Sequence, residues 1–287
     1  MDEIAQRPGL KGWLDKGGFW RLVPVVLVYL ALYLAAGKLL VLATGDWGKG
    51  DLLDSTTTVF VQLTFALVVG AVILAVFTAW MGWNSEIYGR QRIYRSWWMW
   101  LGPIIALMPI ILRVLGFDWA SRPVSVIALV LVSGLFIGFV EELLCRGIAV
   151  KMLRDGGHGE LVVAGLSSLV FAVLHGVNLL SGQALVTTGI QMFYTFGFGV
   201  LMYLTLRTSR YLVVAMVVHG LTDPTAILAN SGISDAANTA GLSPLAAAGG
   251  QFTLPIGFIG IVLLLCVRGR YGQTSKHPQD AGASAAA

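Results

Sequence analysis

The sequence contains few charged residues and few cysteines for its length. Only 12% of its 287 residues are charged, against about a quarter in a soluble domain, and 56% are hydrophobic. This balance, with a mean hydropathy of +0.78, excludes an ordinary soluble domain and predicts a polytopic membrane protein. Cys145 and Cys266 both lie in apolar runs, so no disulfide framework is expected. The net charge of +4 requires no nucleic acid partner, because membrane proteins collect Lys and Arg in their cytoplasmic loops.

Long apolar runs recur along the chain. A bilayer core of about 30 Å is crossed by roughly 20 helical residues. Eight segments meet or approach that length: 22–44, 57–82, 97–115, 124–150, 161–180, 184–206, 211–229 and 245–267. The predicted fold is therefore all-α, with an eight-helix transmembrane domain over 22–267. A cytoplasmic segment, 1–21, is expected before it, and a disordered cytoplasmic tail, 268–287, after it.

The basic residues predict the orientation in the membrane. Most of the 19 Lys and Arg residues fall on one side of the eight predicted helices, and the positive-inside rule makes that side cytoplasmic. Both termini are then cytoplasmic. The compact loops and the Ala/Gly-rich tail favour a bacterial plasma membrane.

Six ionisable side chains lie deep within the apolar segments. Such groups are costly inside a membrane and by default mark a functional site. With a helical rise of about 1.5 Å per residue, Glu141, His175, His219 and Asp223 lie between about 12 and 21 Å from the cytoplasmic ends of their helices. Three different helices thus bring polar groups into one slab, and we predict one shared site. Its candidate members are Glu141, Glu142, Arg146, His175, His219 and Asp223.

Spacing within each helix separates the candidate roles. Glu142 and Arg146 are four residues apart with the acid first, the better orientation for a helical ion pair. Glu141 points about 100° away from Glu142, lacks that partner and is a candidate general base. His219 and Asp223 also share a face. Two non-catalytic alternatives stay open. Glu142 and Arg146 could form a purely structural ion pair, and each buried histidine could simply hydrogen-bond a neighbouring helix.

Three short motifs carry a family resemblance. "EELLCR", "FAVLH" and "HGLTD" follow one another in that order, within about 124–229. The set resembles the CPBP family of intramembrane proteases, which includes the CAAX prenyl endopeptidases of the Ras-converting type and the bacterial Abi or bacteriocin-processing proteins. The resemblance implies endopeptidase chemistry in a cavity open to the cytoplasmic side.

The resemblance also implies roles for the six residues. Glu141 and His175 would activate a water, and His219 and Asp223 would bind the carbonyl oxygen as negative charge develops on it. Glu142 and Arg146 would support them. The prenyl endopeptidases have Asn where this chain has Asp223. An ionised Asp cannot donate a hydrogen bond, so Asp223 must be protonated, orient His219 or bind a cation.

Asp223 leaves open whether the site binds a metal ion. Glu141, His175, His219 and Asp223 could together ligate zinc. The glutamate-activated water, without a metal, is the favoured prediction.

Two other functional classes compete with the protease. Intramembrane acids and histidines also form proton relays in transporters, and a silent scaffold or immunity protein could keep the same fold. The sequence shows no repeated halves of the kind many transporters have, and its charges cluster in one slab. The expected partners are the lipid bilayer and a peptide or protein substrate; prenylation is not expected if the chain is bacterial.

Overall fold

The structure, a computed structural model, describes residues 7–230 and 242–272, and all regular structure in this part is helical. Eight helical segments of these described residues are long and apolar enough to cross a membrane. They are numbered here as the first to the eighth span: Phe19–Gly48, Thr56–Met81, Trp97–Gly116, Val124–Asp155, Glu160–Ser181, Leu185–Ser209, Leu212–Ala229 and Pro244–Leu265. The predicted count and the all-α class are confirmed, and the orientation stays a prediction.

The fourth span is not the uniform α-helix that the sequence predicts. An α-helix, Val124–Glu142, passes into a π-helical segment, Leu143–Ala149, and then into a last α-helical turn, Val150–Asp155. All seven residues of the π-helical segment are buried. π-Helical turns inside α-helices occur mostly at functional sites, and this one begins directly after the paired glutamates.

The eighth span also differs from the single predicted segment 245–267. It consists of two helices, Pro244–Gly250 and Thr253–Leu265. The Ser243 hydroxyl caps the first of them by accepting from the Ala246 amide. Glycines at its end favour a break there because they destabilise a helix interior. The second span likewise contains a π-helical segment, Phe60–Thr64, between α-helices Thr56–Val59 and Phe65–Met81.

Glycines allow the fourth and seventh spans to cross at backbone contact. A Cβ atom built on Gly138 would lie 2.1 Å from the Met216 carbonyl oxygen, and one on Gly134 would lie 2.5 Å from the Gly220 carbonyl oxygen. No side chain fits at either position. The crossing holds the motif residues of the two spans within reach of each other.

The ends of the fourth, fifth and sixth spans are joined by a buried polar network. Arg154 forms a two-pronged ion pair with Glu160, 2.9 Å for each N–O contact, and the Tyr203 hydroxyl also donates to Glu160. The Gly269 carbonyl accepts from the Glu160 amide. This network fixes the chain leaving the eighth span, and the predicted tail beyond residue 272 lies outside the described residues.

Candidate active site

His219 of the seventh span lies between the three carboxylates of the candidate site. Its Nδ1 is 2.7 Å from Glu142 Oε1, and its Nε2 is 3.3 Å from Glu141 Oε2 and 3.6 Å from Asp223 Oδ2. The ring is 1% exposed. A carboxylate can only accept, so Nδ1–H donates to Glu142. Nε2 is then the atom that faces Glu141 and Asp223.

Glu142 and Arg146 form a fully buried ion pair. Arg146 Nη1 donates to Glu142 Oε1 over 2.9 Å, and both side chains are 0% exposed. The guanidinium also lies 4.7 Å from the centre of the Phe171 ring, a cation–π distance. Glu142 therefore accepts from two donors, Arg146 and His219, which hold its carboxylate in place.

Glu141 occupies a different environment from its neighbour. Its side chain is 27% exposed, whereas that of Glu142 is inaccessible. The Oε2 atoms of both glutamates are buried without a hydrogen-bond partner, so only Glu141 combines an unsatisfied oxygen with a side chain that is partly exposed. A carboxylate that is reachable from outside yet unsatisfied at one oxygen can take a proton from a bound molecule.

His175 ends the α-helix Glu160–His175 and precedes a 3₁₀ turn, Gly176–Ser181. Its Nδ1 is 2.9 Å from the Phe171 carbonyl oxygen. A carbonyl accepts only, so Nδ1 carries the proton and the neutral ring keeps a lone pair on Nε2. No hydrogen bond or ion pair joins His175 to Glu141 in the part of the chain described. The structure therefore unites five of the six predicted residues through direct contacts and leaves His175 without such a contact, although it lies within electrostatic range of Glu141 and Asp223.

The Phe171 ring packs between His175 and His219. Its ring meets those of His175 and His219 edge to face, with centroids 4.8 and 5.4 Å away. Phe198 of the sixth span packs on His219 at 5.0 Å. The sequence analysis did not single out Phe198, because an aromatic residue in an apolar span carries no local signal.

Gly199 is a further site residue that the sequence analysis missed. A Cβ atom there would lie 2.8 Å from Arg146 Nη2 and 3.1 Å from Ser168 Oγ. Only glycine leaves room for the buried guanidinium. The "FGFG" stretch at 196–199 hints at a close approach, but its partner lies on another span.

Three of the four predicted metal ligands come together. One ligand atom each of Glu141, His219 and Asp223 lies within 4.8 Å of the other two. Three N/O ligands are enough for a catalytic zinc site, which keeps a further position open. The donor set therefore fits zinc in number and type, while His175 is not part of the group.

The comparison with known families agrees with this geometry. Residues 123–225 match the family model described as "Type II CAAX prenyl endopeptidase Rce1-like". The matched region contains all six candidate site residues and the crossing of the fourth and seventh spans. No curated protein matches the chain. Over residues 123–225, this multi-pass membrane protein is therefore similar to the Rce1-like CAAX prenyl endopeptidases.

Proposed function

We propose that the protein is an intramembrane endopeptidase in which Glu141 activates the attacking water. The observation that carries the proposal is the difference between the two glutamates. Glu142 is inaccessible and held by Arg146, while Glu141 is partly exposed and faces His219 Nε2. Peptide hydrolysis needs a base for the water and donors for the oxyanion, and this cluster supplies both.

The first step is attack on the scissile carbonyl. Glu141 takes one proton from the water as its oxygen bonds to the carbonyl carbon, and the C=O electron pair moves onto the carbonyl oxygen. His219 Nε2–H donates to that oxyanion, and Glu142 on Nδ1 stabilises the charged ring. The tetrahedral intermediate then collapses with cleavage of the C–N bond, and Glu141 gives its proton to the leaving amine.

His175 supports the water in this proposal. Its Nδ1–H is committed to the Phe171 carbonyl, so the lone pair on Nε2 can accept the second water hydrogen. Two acceptors, Glu141 and His175, would orient the oxygen lone pair of the water toward the carbonyl carbon. This arrangement needs no direct contact between the two side chains.

Asp223 has a different role from the Asn that the resemblance leads one to expect. Its Oδ2 lies 3.6 Å from His219 Nε2, and an ionised carboxylate there favours the protonated ring. We therefore assign Asp223 to holding the proton on Nε2, through which His219 stabilises the oxyanion.

A metal-dependent variant is the second candidate mechanism, and the grouping of three ligand atoms favours it. Glu141, His219 and Asp223 would hold the ion, which would supply Lewis-acid polarisation of the carbonyl and a more acidic water. The proposed substrate is in both cases a peptide or a membrane-protein terminus reaching the site from the membrane or the cytoplasmic side.

Cleavage of a quenched fluorescent peptide library by the purified protein tests the proposal. We expect Glu141→Gln to lose at least about 100-fold in rate, the usual scale of general-base catalysis. Glu86→Gln is the matched control, since Glu86 is 45% exposed and pairs with Lys151 outside the site. Full activity in Glu141→Gln would refute the base assignment.

A chelator arm separates the two mechanisms. Activity that survives phenanthroline supports the glutamate-activated water. Activity that phenanthroline abolishes and zinc restores supports the metal-dependent mechanism. A wild-type protein that cleaves no member of the library would favour the transporter or scaffold alternatives.

A further inference from the structure

Three short segments at one end of the helix bundle carry arginines and no acidic residue. They are 89–96, between the second and third spans, 206–211, at the end of the sixth, and 266–272, after the eighth. Together they contain seven arginines and no lysine: Arg90, Arg92, Arg95, Arg207, Arg210, Arg268 and Arg270. Arginine in place of lysine suits the two-pronged recognition of phosphate groups.

The acids at this end of the bundle do not neutralise these segments. Each acid of the described chain that lies there is paired with a basic residue outside the three segments. These acids are Asp15, Glu86, Asp155 and Glu160. The three segments therefore keep an excess of positive charge.

Backbone contacts pack the three segments together. The Gln91 amide donates to the Arg210 carbonyl over 2.9 Å. Arg207 is fully buried, and its guanidinium donates to the carbonyl oxygens of Arg268 and Tyr94. Arg207 is thus the structural arginine of the group. The fixed backbone determines where the remaining guanidinium groups lie.

Arg210 occupies the turn between the sixth and seventh spans in a left-handed conformation, with a φ of 67°. No other non-glycine residue of the described chain has a positive φ. Helices usually end in this conformation with Gly or Asn, and such backbone strain collects at functional sites. The Nε atom of Arg210 is also buried without a hydrogen-bond partner. The turn therefore presents an unsatisfied guanidinium where glycine would suit the backbone better.

Arg90, Arg95 and Arg210 form a cluster of like charge. The pKa of Arg210 is lowered by the partial burial of its guanidinium and by repulsion from Arg90 and Arg95. Arg95 donates through Nη1 to the Thr208 carbonyl over 2.7 Å, which holds it beside the turn. Arg90 is exposed and forms no ion pair within the described chain. An anion bound between the three groups would turn this repulsion into attraction.

Aromatic residues place this cluster at the level of the lipid headgroups. The 3₁₀ turn Trp97–Trp100 begins the third span directly after the arginine segment, and its Trp97 side chain is exposed. Tyr211, the residue after Arg210, is exposed as well. Trp and Tyr side chains collect at the boundary between membrane and water. The guanidinium groups of the cluster are therefore within reach of lipid phosphates.

We propose that Arg90, Arg95 and Arg210 bind the phosphate group of an anionic phospholipid. Guanidinium groups match phosphate through parallel N–H bonds, and clustered basic residues at a membrane surface attract anionic lipids. A lipid is favoured over a free phosphate ion because Leu101 and Ile104 of the adjoining third span are exposed and offer apolar surface to its acyl chains. The bound lipid would hold the turn from which the His219 helix begins.

The test measures thermal unfolding of the full-length protein in detergent micelles that contain phosphatidylcholine, with and without phosphatidylglycerol. We expect phosphatidylglycerol to raise the melting temperature of wild type by about 2–5 °C, as a ligand well above its Kd does. Arg90→Gln and Arg210→Gln should each remove most of this rise. The rise is a difference between two lipids within one variant, so a lower starting stability cannot mimic its loss.

Arg92→Gln is the matched control, since it removes the same charge from an exposed residue of the same segment. It should keep the rise. An equal loss of the rise in Arg92→Gln would show a general effect of surface charge and overturn the lipid site. A rise that is unchanged in Arg210→Gln would overturn it too.

Arg210→Gly separates lipid binding from backbone stability. Glycine adopts a positive φ without strain, so in phosphatidylcholine alone this variant should melt no lower than Arg210→Gln. It should nevertheless gain nothing from phosphatidylglycerol, because the guanidinium is absent. An Arg210→Gly variant that keeps the full rise would mean that the turn, and not its side chain, responds to the lipid.

Two further measurements identify the source of the phosphate. Inorganic phosphate at matched ionic strength should raise the melting temperature much less than the lipid; an equal rise would reassign the cluster to a soluble anion. Native mass spectrometry should find phosphatidylglycerol retained by wild type and by Arg92→Gln and lost from Arg210→Gln. Equal retention in all three, or none in wild type, would overturn the site. None of these measurements uses cleavage, so the lipid site and the proposed endopeptidase can fail separately.

Discussion

Gly138 and Gly220 meet so closely that a Cβ atom on Gly138 would lie 2.6 Å from the Gly220 backbone nitrogen. The obstacle is backbone, which cannot rotate away. This contact lies one turn before Glu141 on the fourth span and one residue after His219 on the seventh. The separation of the two spans that carry Glu141 and His219 is therefore set by the absence of side chains at this crossing.

The first prediction concerns this crossing. Gly138→Ala should force the spans apart and destabilise the protein by about 1–3 kcal/mol, as overpacking does, with loss of cleavage. Thermal unfolding in detergent and the library assay measure both effects. Gly189→Ala is the control, because a Cβ there meets no atom within 4 Å and Ala is the better helix former. Equal melting temperatures for the two variants would contradict the close crossing.

The second prediction concerns the buried ion pair. Glu142→Leu leaves Arg146 without a counter-charge and should cost about 3–5 kcal/mol, the scale of a broken buried pair. Adding Arg146→Leu should recover much of that stability, since apolar replacement of both partners is often neutral. Activity should not return, because His219 Nδ1 has lost its acceptor.

Glu141→Leu serves as the comparison for this cycle. Glu141 has no partner among the arginines and is partly exposed, so its loss should change the melting temperature much less than Glu142→Leu does. A larger stability loss at Glu141 than at Glu142 would reverse the structural and catalytic assignments of the two acids.

The third prediction concerns Phe171, which touches Arg146, His175 and His219 at once. Phe171→Leu removes the cation–π contact and the edge-on support of both rings. A desolvated cation–π interaction of about 2 kcal/mol corresponds to roughly a 30-fold change, expected here in kcat. Phe193→Leu is the control: Phe193 packs on Phe258 at 4.9 Å, away from the charged groups. Similar kcat losses in both variants would make the effect a general packing defect.

Local spacing explains why part of the site is visible in the sequence. Glu142 and Arg146, or His219 and Asp223, share a helix face because of the 3.6-residue period. Their depth follows from the rise per residue. These properties need no knowledge of how the helices pack, so the charged cluster could be predicted from the apolar segments alone.

Contacts between spans could not be predicted in the same way. Gly199 and Phe198 matter because of Arg146 and His219, which lie far away along the chain. The π-helical segment Leu143–Ala149 depends on a shift of backbone hydrogen bonds that leaves no pattern of residue types. Packing between the spans also explains why His175 makes no direct contact with the other candidates, although its predicted depth is similar to theirs.

The fourth prediction concerns Asp223, where this chain departs from the Asn of the prenyl endopeptidases. Asn keeps the size of the side chain and can donate to an oxyanion, so Asp223→Asn should retain activity within about tenfold. Asp223→Leu offers neither a charge for His219 nor a donor and should lose at least about 100-fold. The ratio of the two rates, measured on one peptide with and without added zinc, is the readout. If Asp223→Asn is as inactive as Asp223→Leu and zinc restores it, the carboxylate acts as a metal ligand and the assignment to His219 is wrong.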